Sequence, residues 1–321
     1  MTAYAISQET PDLAAIRVAH RRIAPRIHRT VVITSRSLDE IAGAHLFFKC
    51  ENLQKTGSFK IRGATNAVFS LTDEEAKNGV VAPSSGNHAA ALAQAARWRG
   101  IPAYIVMPAN SSPAKKRAVA NYGGKITESE PNVTSREAVC AAVTRQTGAH
   151  LVHPYNDARV IAGQGTAALE LLEDVPDLDF IITPVSGGGL LSGTAIVAKG
   201  VRTGIKVVGG EPRNADDVSR SLTSGRIEPA SPFETMADGL RATLCPLTFS
   251  ILREHVDVIS LVDEKEIVQS MLLLWERSKL VVEPSGAVAA APALLRRIGA
   301  EGKKVGIILS GGNLDLSQLP F

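Results

Sequence analysis

The sequence predicts an α/β protein with parallel sheets, and three observations predict it. Short apolar runs alternate with alanine-rich stretches along most of the 321 residues, the pattern of strand and helix in turn. The chemically suggestive clusters sit at the ends of such runs, where ligands bind in folds of this class. The composition, 45% hydrophobic and 21% charged, is that of a globular chain long enough for one large or two moderate domains.

Taken in order, Thr10-Pro11-Asp12 reads as a helix start, with a capping hydroxyl, a proline in the first turn and an early acid. The basic stretch Arg21, Arg22, Arg26, His28 and Arg29 alternates with Ile23, Pro25 and Ile27, and reads as a solvated helix end and loop. A net charge of +3 and 4% aromatic residues give no extended basic surface or stacking platform for nucleic acid. Strand-like runs follow at 46–51, 79–84, 103–108, 124–129, 149–154, 180–185, 206–211 and 305–310. Between them, HAAALAQAARWRG and AVAAAPALLRRIG favour helix. Cys50, Cys140 and Cys245 form neither a CxxC pair nor a disulfide framework, which fits a reducing cytoplasm. The first 17 residues lack the layout of a signal peptide, and no apolar run approaches the length of a membrane span.

Five clusters carry chemistry. In Lys55-Thr56-Gly57-Ser58-Phe59-Lys60-Ile61-Arg62-Gly63-Ala64, Thr56 or Ser58 is placed to cap a helix that begins near Lys60. A lysine in that first turn is either an ordinary surface residue or an amine whose pKa the dipole and burial depress, making it a nucleophile. Ser84-Ser85-Gly86-Asn87-His88 suits a carboxylate or phosphate at a helix N-terminus, or is a serine-capped helix. Ser186-Gly187-Gly188-Gly189-Leu190 lets backbone N–H groups converge on a phosphate and is neither a GxGxxG fingerprint nor a Walker loop. Ser310-Gly311-Gly312-Asn313 offers a turn, or a hydroxyl for a ring nitrogen. Glu211 and Asp217, with the Ala215 carbonyl between them, form an oxygen site for a divalent cation or a solvated acidic loop.

In this order, the motifs KTGSFKIRGA, SSGNH, HPYNDARVIAGQGT, the SGGG loop, EPRNADD, ETMADGL, EPSGAV and LSGGN resemble the fold-type II pyridoxal phosphate (PLP) enzymes. Within them the chain is most similar to the serine racemase and serine/threonine dehydratase group, which includes 3-hydroxyaspartate ammonia-lyases. The resemblance covers nearly the whole chain. It implies two open, twisted, mostly parallel sheets with flanking helices and a site between domains. The large domain would comprise 1–78 and 153–321, and the small mobile one 79–152. The resemblance also implies a cytoplasmic homodimer acting on a small amino acid, with no nucleic-acid or membrane partner.

Carried over position by position, the resemblance makes Lys60 the cofactor's covalent anchor and the base on one face of the substrate. Phe59 would flank the ring, Asn87 would bond its oxygen, and Ser310 would meet its nitrogen. Ser186, Gly187, Gly188, Gly189 and Leu190 would cradle the phosphate. Ser84, Ser85, Asn87 and His88 would surround the substrate carboxylate, with Ser85 the acid/base on the far face. Glu211, Ala215 and Asp217 would hold magnesium, calcium or manganese. A serine at the ring nitrogen, unlike a carboxylate, does not keep it protonated, which favours prompt expulsion of a β-substituent. The implied reaction is loss of water from serine, threonine or 3-hydroxyaspartate, giving a keto acid and ammonia. The alternatives are a serine racemase with dehydratase side activity, and a non-catalytic PLP-binding regulatory protein.

Departures from the family pattern lie around the substrate side. Ser186 replaces a frequent glycine, and its hydroxyl is read as an added phosphate contact. Ala89-Ala90 follow His88 where Gly-Gln is common, and Arg241-Ala242 follow ADGL. Arg136, Arg241 and His88 are cationic candidates for a second substrate carboxylate, with surface exposure the competing reading for the two arginines.

Overall fold

The computed structural model describes residues 9–319; residues 1–8, where the leader question falls, lie outside that range. Two sheets organise the chain. The larger has six strands in the order β1 (Val32–Ile33), β2 (His45–Cys50), β10 (Lys304–Leu309), β7 (Phe180–Pro184), β8 (Lys206–Pro212) and β9 (Val258–Val262). All its pairings are parallel except β1 with β2. The smaller sheet runs β5 (Gly124–Ser129), β4 (Ala103–Pro108), β3 (Val80–Pro83) and β6 (His150–Leu151), all parallel.

The strands read as continuous apolar runs because both faces of each sheet are covered. Alternate residues point to opposite faces. Val207 and Ile308 pack with Ile161, Leu171 and Leu191 under the helices Leu13–Ile23, Ala158–Asp174 and Gly189–Val201. Their neighbours Val208 and Ile307 pack on the other side with Leu38, Met271 and Leu274. In the small sheet, Val80 and Ile105 face the helices Lys60–Ser70 and Asn87–Arg99, while Val81 and Val106 face Cys140 and Val143 of the helix Val133–Thr147.

Local expectations fail where longer-range contacts or proline intervene. The first helix starts at Leu13, capped by the Asp12 carboxylate, which accepts from the Ala15 N–H at 2.7 Å; Thr10 is not the cap. The run AVAAAPALLRRIG (287–299) is not one helix: it begins on the last residue of the turn Pro284–Ala287 and holds one further single turn, Ala291–Leu294, where Pro292 has no N–H to continue a ladder. The expected strand at 149–154 pairs only at His150–Leu151, since residues 153–157 turn back into the site. Strands β1 and β9 were not anticipated. The three cysteines are free, and among the described residues no helix is long and apolar enough to cross a membrane.

Candidate active site

Site residues converge because they lie at the carboxyl ends of β2, β3, β6, β7, β8 and β10. The chain leaving β2 makes two tight turns, Glu51–Leu53 and Lys55–Gly57, before the helix Lys60–Ser70. Thr56 in the second turn has φ 61°, a costly conformation for a β-branched residue. Three contacts fix this turn to the loop after β10: Phe59 N–H donates to Ser310 O (3.0 Å), Gly312 N–H donates to Gly57 O (2.9 Å), and Ser58 bridges Gly311. Neither Thr56 nor Ser58 caps the helix. Phe59 stands at the N-cap without a side-chain bond, and the Ser58 hydroxyl is buried without a partner among the described residues.

Lys60 is the first helical residue. Its Nζ donates to the Pro154 carbonyl at 3.1 Å and sits 5.1 Å from the centre of the Phe59 ring. Burial lowers its pKa to about 8, so roughly a tenth of the amine is neutral and able to attack at about pH 7.

Two residues further on, Arg62 anchors the helix. Its guanidinium, fully buried, donates to both Glu51 carboxylate oxygens (2.7 and 2.8 Å) and both Glu170 oxygens (2.8 Å each). Lys49 Nζ donates to Glu170 at 2.7 Å and to Thr30 O at 2.7 Å. Burial alone would raise the Glu170 carboxyl, but hydrogen bonds from His20 and Arg62 hold it well below the usual range. The network ties the Lys60 helix to β2 and to the helix Ala158–Asp174.

The turn after β7 forms a cradle. None of the backbone N–H groups of Ser186, Gly187, Gly188, Gly189 and Leu190 has an acceptor among the described residues, an arrangement that suits a phosphate at a helix N-terminus. A Cβ on Gly187 would stand 2.5 Å from the Tyr155 ring, and Gly188, at φ +89°, would place one 2.8 Å from Thr248. The Ser186 hydroxyl is not aimed at a phosphate. It donates to Ala242 O (3.0 Å) and accepts from Ala242 N–H (2.9 Å), pinning the loop from behind. Ser310, buried at the end of β10, makes no side-chain hydrogen bond among the described residues.

The helix Asn87–Arg99 closes the opposite side. Asn87 Nδ2 donates to Glu283 Oε1 at 2.8 Å, and its Oδ1 accepts from Asn313 Nδ2 at 2.9 Å; Asn313 also donates to Thr56 O. One Asn87 N–H remains for a ring oxygen. Ser84 Oγ accepts from Gly86 N–H at 3.5 Å, and the partly exposed Ser85 hydroxyl has no hydrogen bond among the described residues.

His88 is not the cation expected. Buried, it has Nε2 on the Val152 carbonyl at 3.0 Å, and burial followed by the Lys60 charge depresses its pKa to about 3. Arg241 is exposed, with its guanidinium on the Thr235 carbonyl, so the surface reading holds for it. Arg136, half-buried, makes no side-chain hydrogen bond or ion pair among the described residues. Its charge acts on His153 and Tyr155.

At the end of β8, both Glu211 oxygens are capped by the Val218 and Ser219 N–H groups (2.8 and 2.9 Å). Asp217 Oδ2 is buried without a partner among the described residues. Burial raises Glu211 to about 8 and Asp217 to about 6. The described residues contain no cluster of three or more His, Cys, Asp or Glu placed for a metal, so a cation here would need the Ala215 carbonyl beside these two carboxylates.

Sequence reasoning missed four participants: Pro154 under Lys60, Tyr155 against the cradle, Glu283 on Asn87, and His153. Three of them lie in the HPYND stretch after β6, and Glu283 opens EPSGAV; those two motifs were their local signal.

The residues fit PLP: a buried amine of lowered pKa, a cradle of free N–H groups that a Cβ would fill, and an unbonded serine hydroxyl. A family model described as "Pyridoxal-phosphate dependent enzyme" matches residues 23–311. A serine racemase of Oryza sativa subsp. indica is 51% identical over 313 residues, covering 96% of this chain and 92% of the relative. A beta-hydroxyaspartate dehydratase of Paracoccus denitrificans (strain Pd 1222) is 48% identical over 311 residues, covering 97% and 99%. The structure of maize serine racemase superposes with a TM-score of 0.94 at 49% identity, covering 96% of this chain and 95% of that one. With both the cradle and the family match in place, this chain belongs to the fold-type II PLP-dependent enzymes, beside the serine racemases and β-hydroxy amino acid dehydratases.

Proposed function

We propose that the protein eliminates water from a small β-hydroxy amino acid (serine, threonine or 3-hydroxyaspartate), giving a keto acid and ammonia. The observation that carries this reading is the Lys60 amine, lowered to about 8 by burial and held on the Pro154 carbonyl. PLP, when bound, supplies an electron sink for negative charge at the substrate Cα. Lys60 removes the α-proton, and the N–H groups of 186–190 hold the phosphate. Ser310 offers a hydroxyl rather than a carboxylate to the ring nitrogen, leaving it neutral and favouring loss of the β-hydroxyl. The N-terminus of the helix Asn87–Arg99, with Ser84 and Ser85, takes the substrate carboxylate. The names of the rice and Paracoccus relatives support this reaction class.

Racemisation is the second reading, favoured by the unbonded Ser85 hydroxyl, a proton carrier for the far face. A divalent cation on Glu211, Asp217 and the Ala215 carbonyl is supported by the orphaned Asp217 oxygen. Residues 79–152 act as a small mobile domain over the site, a homodimer is the assembly, and three free cysteines suit the cytoplasm.

The purified enzyme is expected to release ammonia from at least one of L-serine, D-serine, L-threonine and the 3-hydroxyaspartate stereoisomers. Lys60→Ala should lose both this activity and the visible absorbance of the lysine-bound cofactor. Ser85→Ala should lose racemisation and keep dehydration of L-serine. A wild type that is colourless with added PLP would sink the reading.

A further inference from the structure

The motif HPYNDARVIAGQGT spans residues 153–166, and its last four residues lie buried inside the helix Ala158–Asp174. Packing accounts for three of them. A Cβ on Gly163 would stand 2.6 Å from Gly63 Cα and Arg62 O, and one on Gly165 would stand 2.9 Å from Gly193 O. Thr166 accepts from Arg62 at 3.1 Å. Gln164 is different. Fully buried, it accepts the Gly63 N–H on Oε1 at 3.2 Å, while its Nε2 has no partner among the described residues. The Gly63 N–H can only donate, so it turns the carboxamide oxygen toward itself and leaves Nε2 stranded. A buried amide donor without an acceptor is destabilising, and a hydrocarbon chain of the same length would avoid it.

The effect of the carboxamide falls within one turn of Lys60. The lysine's helix has no cap from its own chain: Phe59 makes no side-chain bond, and the Ser58 hydroxyl has no partner among the described residues. Phe59 O takes the Arg62 N–H at 3.0 Å, the i to i+3 bond of a 3-10 turn. The Gly63 N–H, the donor that closes an α-helical turn on Phe59 O, is met by Gln164. Among the described residues no other side chain accepts an N–H from residues 60–63. A 3-10 turn winds about 120° per residue, against about 100° for an α-helix. Relaxing the turn would rotate Lys60 about the helix axis and carry Nζ on the order of 2 Å from its place. Pro154, whose carbonyl receives Nζ, lies just ahead of the helix that carries Gln164. The amine's partner and the anchor of its turn therefore belong to one element.

We propose that Gln164 is a positioning residue for Lys60: its carboxamide oxygen keeps the first turn of the lysine's helix tight and so holds Nζ where it meets an aldehyde. This rests on the reading of Lys60 as the cofactor's anchor and is independent of which reaction follows. Cofactor-free protein is mixed with increasing PLP, and the absorbance of the lysine-bound cofactor is followed as the amine adds to the aldehyde and one water leaves. The limiting rate reports the placement of the amine. The PLP concentration at half that rate reports the phosphate cradle.

Gln164→Met removes the acceptor at nearly the same length and should cut the limiting rate at least about tenfold, with half-saturation and melting temperature close to wild type. Gln164→Glu keeps an oxygen at the Gly63 N–H and should keep most of the rate. A residue that only filled the core would give the opposite order, since methionine suits a core and a carboxylate does not. A Met variant with the wild-type limiting rate, or a folded Glu variant as slow as the Met one, would overturn the proposal. So would a Met variant that has lost its fold, which would make the role of Gln164 structural. If Gln164→Glu does not fold, the Met variant decides alone. A wild type that captures no PLP would overturn the anchor reading and this proposal together, whereas equal capture by wild type and Met variant would overturn this proposal only.

Discussion

Gly187 shows how single residues make the site. Its backbone lies so close to the Tyr155 ring that one added methyl group meets two ring carbons at 2.5 Å. Real Cβ contacts do not approach that distance, so either the ring or the loop must move. If the loop moves, the five unsatisfied N–H groups of 186–190 lose their common focus; if the ring moves, the turn 153–157 that holds Lys60 moves with it. Gly187→Ala is therefore expected to weaken PLP binding by about tenfold or more, roughly 1.4 kcal/mol or above, with the fold intact. Fluorescence titration of the cofactor-free protein with PLP reads this directly, and unchanged affinity would remove the cradle's close fit from the account. Gly189 has a milder contact, 3.0 Å to the Tyr155 Cβ, and should tolerate alanine better.

At the scale of elements, the Arg62 network joins three pieces of chain around a charge-balanced interior: Lys49 and Arg62 against Glu51 and Glu170. Breaking a buried pair leaves a charge without compensation, which costs about 3–5 kcal/mol. Arg62→Met leaves Lys49 on Glu170 but Glu51 with only the Thr30 hydroxyl, and should lose stability of that order in urea denaturation. Adding Glu51→Gln to the same chain should restore part of it; a loss under about 1 kcal/mol would show that the carboxylates take up protons or water cheaply. The same network explains what could be read from sequence. Lys60, the glycines of the cradle and Ser310 carry local signals, since turn chemistry and the start of a helix depend on neighbours in the chain. Arg62 meets Glu170 across 108 residues, Lys60 meets Pro154 across 94, and Asn87 meets Glu283 across 196. Such partners are set by packing, and no local pattern encodes them. His88 was misread for the same reason: its charge depends on how deeply the start of the helix Asn87–Arg99 is buried and on the Val152 carbonyl, 64 residues away.

For the molecule as a whole, one contact between the two sheets is made by a titratable carboxyl group. Glu283 follows the six-stranded side of the chain, while Asn87 opens a helix of the four-stranded side, and Asn87 Nδ2 donates to Glu283 Oε1. Lys115 and Asp238 pair across the same divide. Burial, then repulsion from Asp238, raises Glu283 to about 8, against about 4.3 for an unfolded glutamate. The folded protein thus holds a proton that the unfolded chain gives up at lower pH. Where the unfolded state binds fewer protons, stability falls as pH rises. The contribution of Glu283 is fully present below about pH 4.3 and is lost as pH rises through about 8. Glu283→Gln keeps a carbonyl acceptor for Asn87 and removes the titration. Its melting temperature should decline less than that of wild type between about pH 5 and 8.5, other buried carboxyls such as Glu211 contributing equally to both curves. Parallel curves for the two proteins would mean that Glu283 is already ionised in the folded state. The contact with Asn87 would then be a charge-assisted bond, and alkaline pH would leave the join between the two sheets unchanged.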